Sequence, residues 1–205
     1  MTPATSGPGR RRRLPQQDRS RSMVRAILDA ARTVLENDGY SAASTNKIAR
    51  AARISPGSLY QYFPDKDAIV AAVVQEYTDQ LVARVTGHLL SKIGTCGERE
   101  LIRESLQVTL DALEEQPELV RAISENTPRL GVSQKIAAVE ERIGELVLAH
   151  LRLRSQPVPR SSVRVWMSVR VVEHLTMRYV LDRPPIERDV FLDEVTDLIV
   201  RYAYT

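Results

Sequence analysis

The segment SPGSLYQYF, residues 55–63, carries hydroxyls, an amide and three aromatic rings but no charge. A short solvated helix would normally expose Lys and Glu, so this surface is suited to meeting a partner instead. Gln61 presents an acceptor and a donor that match the major-groove edge of an adenine, and the Tyr62 ring can meet a thymine methyl. Tyr60, Lys66 and Thr45 can reach phosphate oxygens, contacts that set register without reading bases. Asn46 and Lys47 follow Thr45 and extend the same polar edge. Pro56, Gly57 and Ser58 are small, so a helix beginning there can bring its backbone close to a groove. Nothing comparable points to catalysis. The chain has no phosphate-cradling glycine loop and no nucleophile elbow. His88, His150 and His174 are scattered without metal-ligand spacing, and Cys96 stands alone. The expectation is therefore no enzyme, no metal and no cofactor.

Positioning these groups requires two short helices and a tight turn. Ser44 or Thr45 is a good N-cap for a helix over 44–52, with Ile48, Ala49 and Ala52 facing inward. Ser55 caps the next helix and Pro56 stands at its first position, where a missing N–H costs nothing. Pro64 closes it. Ile54 in the turn and Leu59 inside the second helix hold the angle between them by packing. A longer helix precedes the pair, over 20–38, with Val24, Ile27, Leu28, Ala31, Val34 and Leu35 on one stripe and Gly39 where a left-handed cap fits best. Another follows over 66–92. This is the layout of a helix-turn-helix that binds double-stranded DNA.

The run STNKIARAARISPGSLYQYFPDKDAIVAAV resembles the DNA-binding segment of the TetR family of bacterial regulators. The matching positions are Gly39, Thr45, Ile48, Ala49, Ser55, Gly57, Ser58, Leu59, Tyr60, Phe63 and Lys66. The resemblance is strong from Arg21 to about Leu81 and extends to the remainder in layout alone. Arg53 is a departure, since the family often places Gly at that turn. If Arg53 is left-handed, a side chain there costs roughly 1–2 kcal/mol.

Charge follows the same division. Residues 1–66 hold 12 Lys/Arg against 5 Asp/Glu, a balance of +7, and the remainder hold 17 against 21, a balance of −4. A basic front end suits a polyanion. Residues 1–19, rich in Pro, Gly, Ser, Gln and Arg, are expected to be a disordered basic arm, and the Arg10–Arg13 run could enter a minor groove or raise non-specific affinity. No secretory h-region or membrane-spanning run is present, so the expected location is the cytoplasm, with no membrane partner.

From residue 68 onward the expectation is an all-helical body, with helices over 98–115, 117–126, 132–154, 161–181 and 187–203, about nine helices in the whole chain. The expected fold class is thus all-α: a three-helix helix-turn-helix domain over 20–67, then a helical bundle over 68–205, which the resemblance implies is an effector-binding and dimerisation domain. The resemblance implies a homodimer that releases a palindromic operator when a small-molecule effector binds, most often a repressor. On that basis Val169, Val172, Thr176, Phe191, Val195, Leu198, Ile199 and Tyr202, which form apolar stripes on the last two helices, are the expected dimer residues. Trp166, Met167, Arg170, His174 and Met177 are the expected pocket residues. The competing expectation is a sequence-tolerant helical DNA-binding protein with no effector.

Overall fold

The computed structural model describes residues 16–92, 94–152 and 158–204. Nine α-helices and no strand are found among them: α1 (Gln16–Ala42), α2 (Thr45–Ala51), α3 (Pro56–Tyr60), α4 (Lys66–Lys92), α5 (Glu98–Glu114), α6 (Pro117–Leu130), α7 (Ser133–Arg152), α8 (Ser161–Asp182) and α9 (Arg188–Ala203). The all-α class and the helix order are as expected. The Arg10–Arg13 arm lies outside the described residues. Helix α1 already begins at Gln16, ahead of the expected start, so Gln16 to Arg19 belong to it rather than to the arm.

The front bundle is built from the stripe on α1. Ile27, Ala31 and Leu35 are fully or nearly fully buried against Ile48 and Ala49 of α2, Leu59 of α3, and Ile69, Val70 and Val73 of α4. Gly39 takes φ 71°, which breaks the regular helix where a residue with a Cβ would be strained. Helix α4 is about 40 Å long, from 27 residues at ~1.5 Å rise. It begins in the front bundle and continues into the body, where α5, α6 and α7 pack on it. Helix α6 also packs on α1.

Helix α6 passes the expected end near Asn126 and continues through Pro128 to Leu130. A proline in the last turn removes one backbone hydrogen bond. Burial of Leu130 offsets that loss, and Gly131, at φ 65°, closes the helix in the left-handed region. Helices α8 and α9 form the far side of the body. Arg99 and Arg103 of α5 pair with Asp189, Asp193 and Asp197 along α9. No helix among the described residues is long and apolar enough to cross a membrane.

Candidate nucleic-acid interface and body cavity

Both short helices are capped by serine. Ser44 Oγ accepts from the Lys47 N–H at 3.3 Å, and Ser55 Oγ accepts from the Ser58 N–H at 3.1 Å. Between them the chain turns through Arg53, at φ 58°, and the Ile54 N–H donates to Ala49 O at 3.0 Å. Arg53 is therefore the non-glycine left-handed residue that the sequence raised as a departure. Arg53→Gly should stabilise the fold by about 1 kcal/mol, read by urea unfolding, because the strain removed exceeds the backbone entropy added. A loss of stability would mean that the Arg53 side chain holds the turn.

Helix α3 is anchored by a single side chain. Leu59 is 0 % exposed, with Ile54, Tyr62 and Phe63 partly buried around it. Pro56, Gly57 and Gln61 are exposed, Tyr60 is 52 % exposed, and Ser58 is half-buried. A Cβ on Gly57 would meet only Ser55 Oγ, at 3.9 Å. The protein's own packing gives no reason for glycine there, whereas close approach by a second molecule does. Thr45, at the start of α2, lies beside the end of α3, its Oγ1 3.0 Å from the Tyr60 hydroxyl. Thr45 and Tyr60 thus lie on a common edge, and Gln61 follows Tyr60 as an exposed residue at the end of α3. Asn46 and Lys47 are exposed on α2, and Lys47 forms an ion pair with Asp38 at 2.7 Å.

Lys66 is placed differently from a free phosphate ligand. Its Nζ donates to Tyr40 O at 3.0 Å and sits 4.2 Å from the centre of the Tyr40 ring. Tyr40 in turn donates from its hydroxyl to Asp67 Oδ1 at 2.7 Å, and Arg129 Nε donates to Asp67 Oδ2 at 2.8 Å. The Tyr40 hydrogen bond, then that of Arg129, holds the Asp67 carboxyl below its ordinary range, while burial and Asp67 push the Tyr40 hydroxyl upward. This linkage joins the end of α1, the start of α4 and the last turn of α6. Sequence reasoning missed it because its members are 27 and 62 residues apart and share no periodic signal.

In the body, a cavity of ≈ 210 Å³ lies between α4, α5, α6, α7 and α8, with the end of α9 closing one side. A single water needs only ~10–15 Å³ on the same measure. The walls are overwhelmingly aliphatic. Of the residues expected to line a pocket, Met177 does so; Trp166, Met167, Arg170 and His174 are exposed and are not among its lining residues. Conversely, Val169, Val172, Thr176 and Ile199, expected at a dimer interface, line the cavity. Phe191 and Val195 are also buried, Phe191 stacked on Tyr179 at 4.2 Å between ring centres. Leu198 and Tyr202 alone among the expected interface residues are exposed.

The reversal has a packing cause. Helix α8 is apolar on two faces, and periodicity alone does not say which turns inward. Helix α8 turns Val165 toward α7, where the Cβ position of Gly144 is in ordinary contact with Val165 Cγ1 at 3.8 Å. The bulky Trp166 and Met167 stay outside. Seven of the nine large apolar residues exposed among the described ones lie on α8, α9 or the joint between them: Val163, Trp166, Met167, Ile186, Val190, Leu198 and Tyr202. Scattered exposed apolar residues are ordinary, but these are concentrated on one helix pair.

This arrangement, a helix-turn-helix head on a helical body, has clear relatives. The family described as bacterial regulatory proteins of the tetR type matches residues 27–73, and the Tetracyclin repressor-like C-terminal domain matches residues 99–202. The chain belongs to the TetR family and is a DNA-binding transcription regulator; the family is one of regulators rather than enzymes. It is 32 % identical over 135 residues to the HTH-type transcriptional activator FasR of Mycolicibacterium smegmatis, a stretch covering 64 % of this chain and 58 % of that one. It is 28 % identical over 110 residues to the fatty acid metabolism regulator protein of Bacillus subtilis, covering 54 % of this chain and 56 % of the relative. The chain thus spans less than two thirds of the length of these curated relatives. Among solved structures, a TetR-family transcriptional regulator from Streptomyces coelicolor superposes with a TM-score of 0.71 at 20 % identity, over 90 % of this chain and 80 % of the other. FadR from Bacillus halodurans gives 0.66 at 18 % identity, over 87 % and 94 %.

Proposed function

We propose that the protein is a homodimeric repressor that holds a palindromic operator with two copies of α3 and releases it when an apolar small molecule enters the body cavity. The observation that carries the reading is the pairing of two unpartnered surfaces: the uncharged polar face of α3 and the apolar face of α8 and α9. One helix-turn-helix buries little DNA. Two related by a two-fold axis meet successive major grooves about 34–36 Å apart.

In this reading Gln61 and Tyr62 read bases. Thr45, Tyr60, Asn46 and Lys47 contact the backbone, and Pro56, Gly57 and Ser58 allow close approach. Lys66 supports this edge by holding Tyr40, and its remaining protons are available to a phosphate. The dimer forms through Trp166, Met167, Leu198 and Tyr202, where Tyr202 Oη already donates to Met167 Sδ at 2.8 Å and ties α8 to α9. Release travels through α6. Val120 and Ile123 of α6 line the cavity, and its last turn carries the Arg129 that grips Asp67. A ligand that displaces α6 must therefore move the head or break that ion pair.

The domain division follows: a reading head over residues 20–67 and an effector and dimerisation body from residue 68 onward, with α4 common to both. Selection of bound duplexes from a random pool by the full chain tests the whole proposal. The expected result is one enriched site with two-fold symmetry and half-sites a helical turn or more apart. Retention of random DNA without enrichment would favour a sequence-tolerant binder and overturn the operator reading.

A further inference from the structure

The polar groups in the cavity wall divide into those already engaged and those left open. Tyr77 donates its hydroxyl to Ala112 O at 3.1 Å, Thr78 to Val74 O at 2.7 Å, and Ser105 to Leu101 O at 2.7 Å. Thr109 and Thr176 likewise donate to carbonyls of their own helices, those of Ser105 and Val172. None of these hydroxyls has a proton left for a ligand, although each oxygen can still accept.

Two buried groups are different. Glu140 is 8 % exposed and Ser168 is 7 % exposed, and both line the cavity. Glu140 Oε1 and Ser168 Oγ have no hydrogen-bond partner among the described residues. Glu140 Oε2 lies 2.7 Å from Arg170 Nη2 in an ion pair, but Arg170 reaches it from outside the cavity. Burial pushes the Glu140 carboxyl above its ordinary range and Glu173 adds to the rise, while Arg170 opposes it. Gly144 and Val165 meet at the α7–α8 crossing, Glu140 and Ser168 stand about one turn from that contact on their own helices, and Glu173 also lines the wall. Among the described residues, no Lys or Arg lines the cavity.

A chamber of this kind discriminates by charge. It offers carboxylate and hydroxyl oxygens as acceptors, and the nearby cation, Arg170, is already engaged by Glu140. A ligand carboxylate brought here would add a further negative group beside Glu173 and the Glu140–Arg170 pair in a low-dielectric space, with the Ser168 hydroxyl as the open donor near this end. A ligand hydroxyl or amide N–H would instead satisfy Oε1 of Glu140, which costs free energy while it stays buried and unpaired. His150, which also lines the cavity and whose buried ring nitrogens have no hydrogen-bond partner among the described residues, is ten residues further along α7. That is about 15 Å at ~1.5 Å per residue, so a second polar group would need a long apolar spacer to meet it.

We infer that the effector is an uncharged lipophile whose hydroxyl or amide N–H is held by Glu140 and Ser168, and that free carboxylates of the same length are rejected. This rests on the effector reading of the cavity given above. It also separates this chain from what the name of the Bacillus subtilis relative, a fatty acid metabolism regulator, would suggest for a ligand.

The test uses the full-length protein loaded with Nile red, a neutral apolar probe, and displaced by decan-1-ol or by decanoate at pH 7.5. Decanol is expected to displace the probe at a concentration lower by about tenfold or more, the size expected when one like charge is forced against another. Equal or stronger displacement by decanoate would overturn the inference. Glu140→Gln keeps the acceptor and the shape but removes the charge. It should leave decanol within about threefold and shrink the preference over decanoate to a similar factor. A purely structural role for Glu140 would change both ligands together, and that result would also count against the assignment. Val147→Trp, which fills the cavity, separates the two levels of the proposal. If Nile red binds equally to wild type and Val147→Trp and neither decyl compound displaces it, the cavity is not the effector site and both readings fall. If Val147→Trp loses the probe and wild type still prefers decanoate, the cavity stands and only the ligand class is wrong.

Discussion

Trp166→Glu combined with Leu198→Glu is expected to convert the protein to a monomer and weaken operator binding by roughly 10²–10⁴-fold. The two side chains are 61 % and 50 % exposed in the single chain, so neither glutamate disturbs the packed interior. In a two-fold interface each substitution appears twice, and four carboxylates would enter one apolar surface. Burying unpaired charge costs several kcal/mol, more than enough to open a contact of ordinary size. The loss of DNA affinity follows because the second head no longer benefits from the high effective concentration that the first provides. Analytical ultracentrifugation reads the first effect and titration of the selected operator reads the second. Helicity and melting of the double variant should stay near those of an isolated subunit. A persistent dimer would place the interface elsewhere.

Leu59→Ala is expected to cost about 2–5 kcal/mol, as large-to-small changes at fully buried sites do. Its effect on DNA binding should exceed that figure in consequence. Helix α3 has five residues, far too few to hold itself without packing, and Leu59 is its only fully buried side chain. Truncation therefore removes what holds α3 at its angle to α2, while the body is untouched. Hydrogen exchange should show loss of protection from residues 44 to 63 with α8 and α9 unchanged, and operator affinity should fall to the level of non-specific binding. Normal affinity in Leu59→Ala would mean that α3 is held by something other than this anchor.

How much of this was legible in the sequence depended on whether local chemistry decided the structure. The head was legible because each signal is local and singular. Ser44 or Thr45 and then Ser55 are good caps, Pro56 fits the first helical position, and Leu59 is the lone large aliphatic residue in its helix, while Arg53 is a departure whose left-handed conformation the sequence raises only as a condition. Consistent signals at adjacent positions leave little for tertiary packing to override.

The body was legible as helices but not as faces. On α8, Val169, Val172 and Thr176 form one apolar stripe and Val163, Trp166 and Met167 form another. Either satisfies the helical period, and the packing of α8 on α5, α6, α7 and α9 turns the first inward. Long-range electrostatics were not legible at all. Nothing in the spacing of Tyr40, Asp67 and Arg129 suggests that they meet, nor that Lys66 folds back on Tyr40. Glu140 gave no sign of burial either, since it begins a Glu-Glu-Arg run that reads as a solvated face.

The most direct test of α3 as the reading element is to select bound duplexes with Gln61→Ala and compare the enriched site with that of the wild-type chain. The amide is exposed and makes no contact that the fold needs, so the variant should fold and dimerise as before. One base pair per half-site is expected to lose its preference, at a cost of about 1–3 kcal/mol for the preferred base, with the flanking positions retained. An identical site bound with identical affinity would contradict the placement of this helix in the groove.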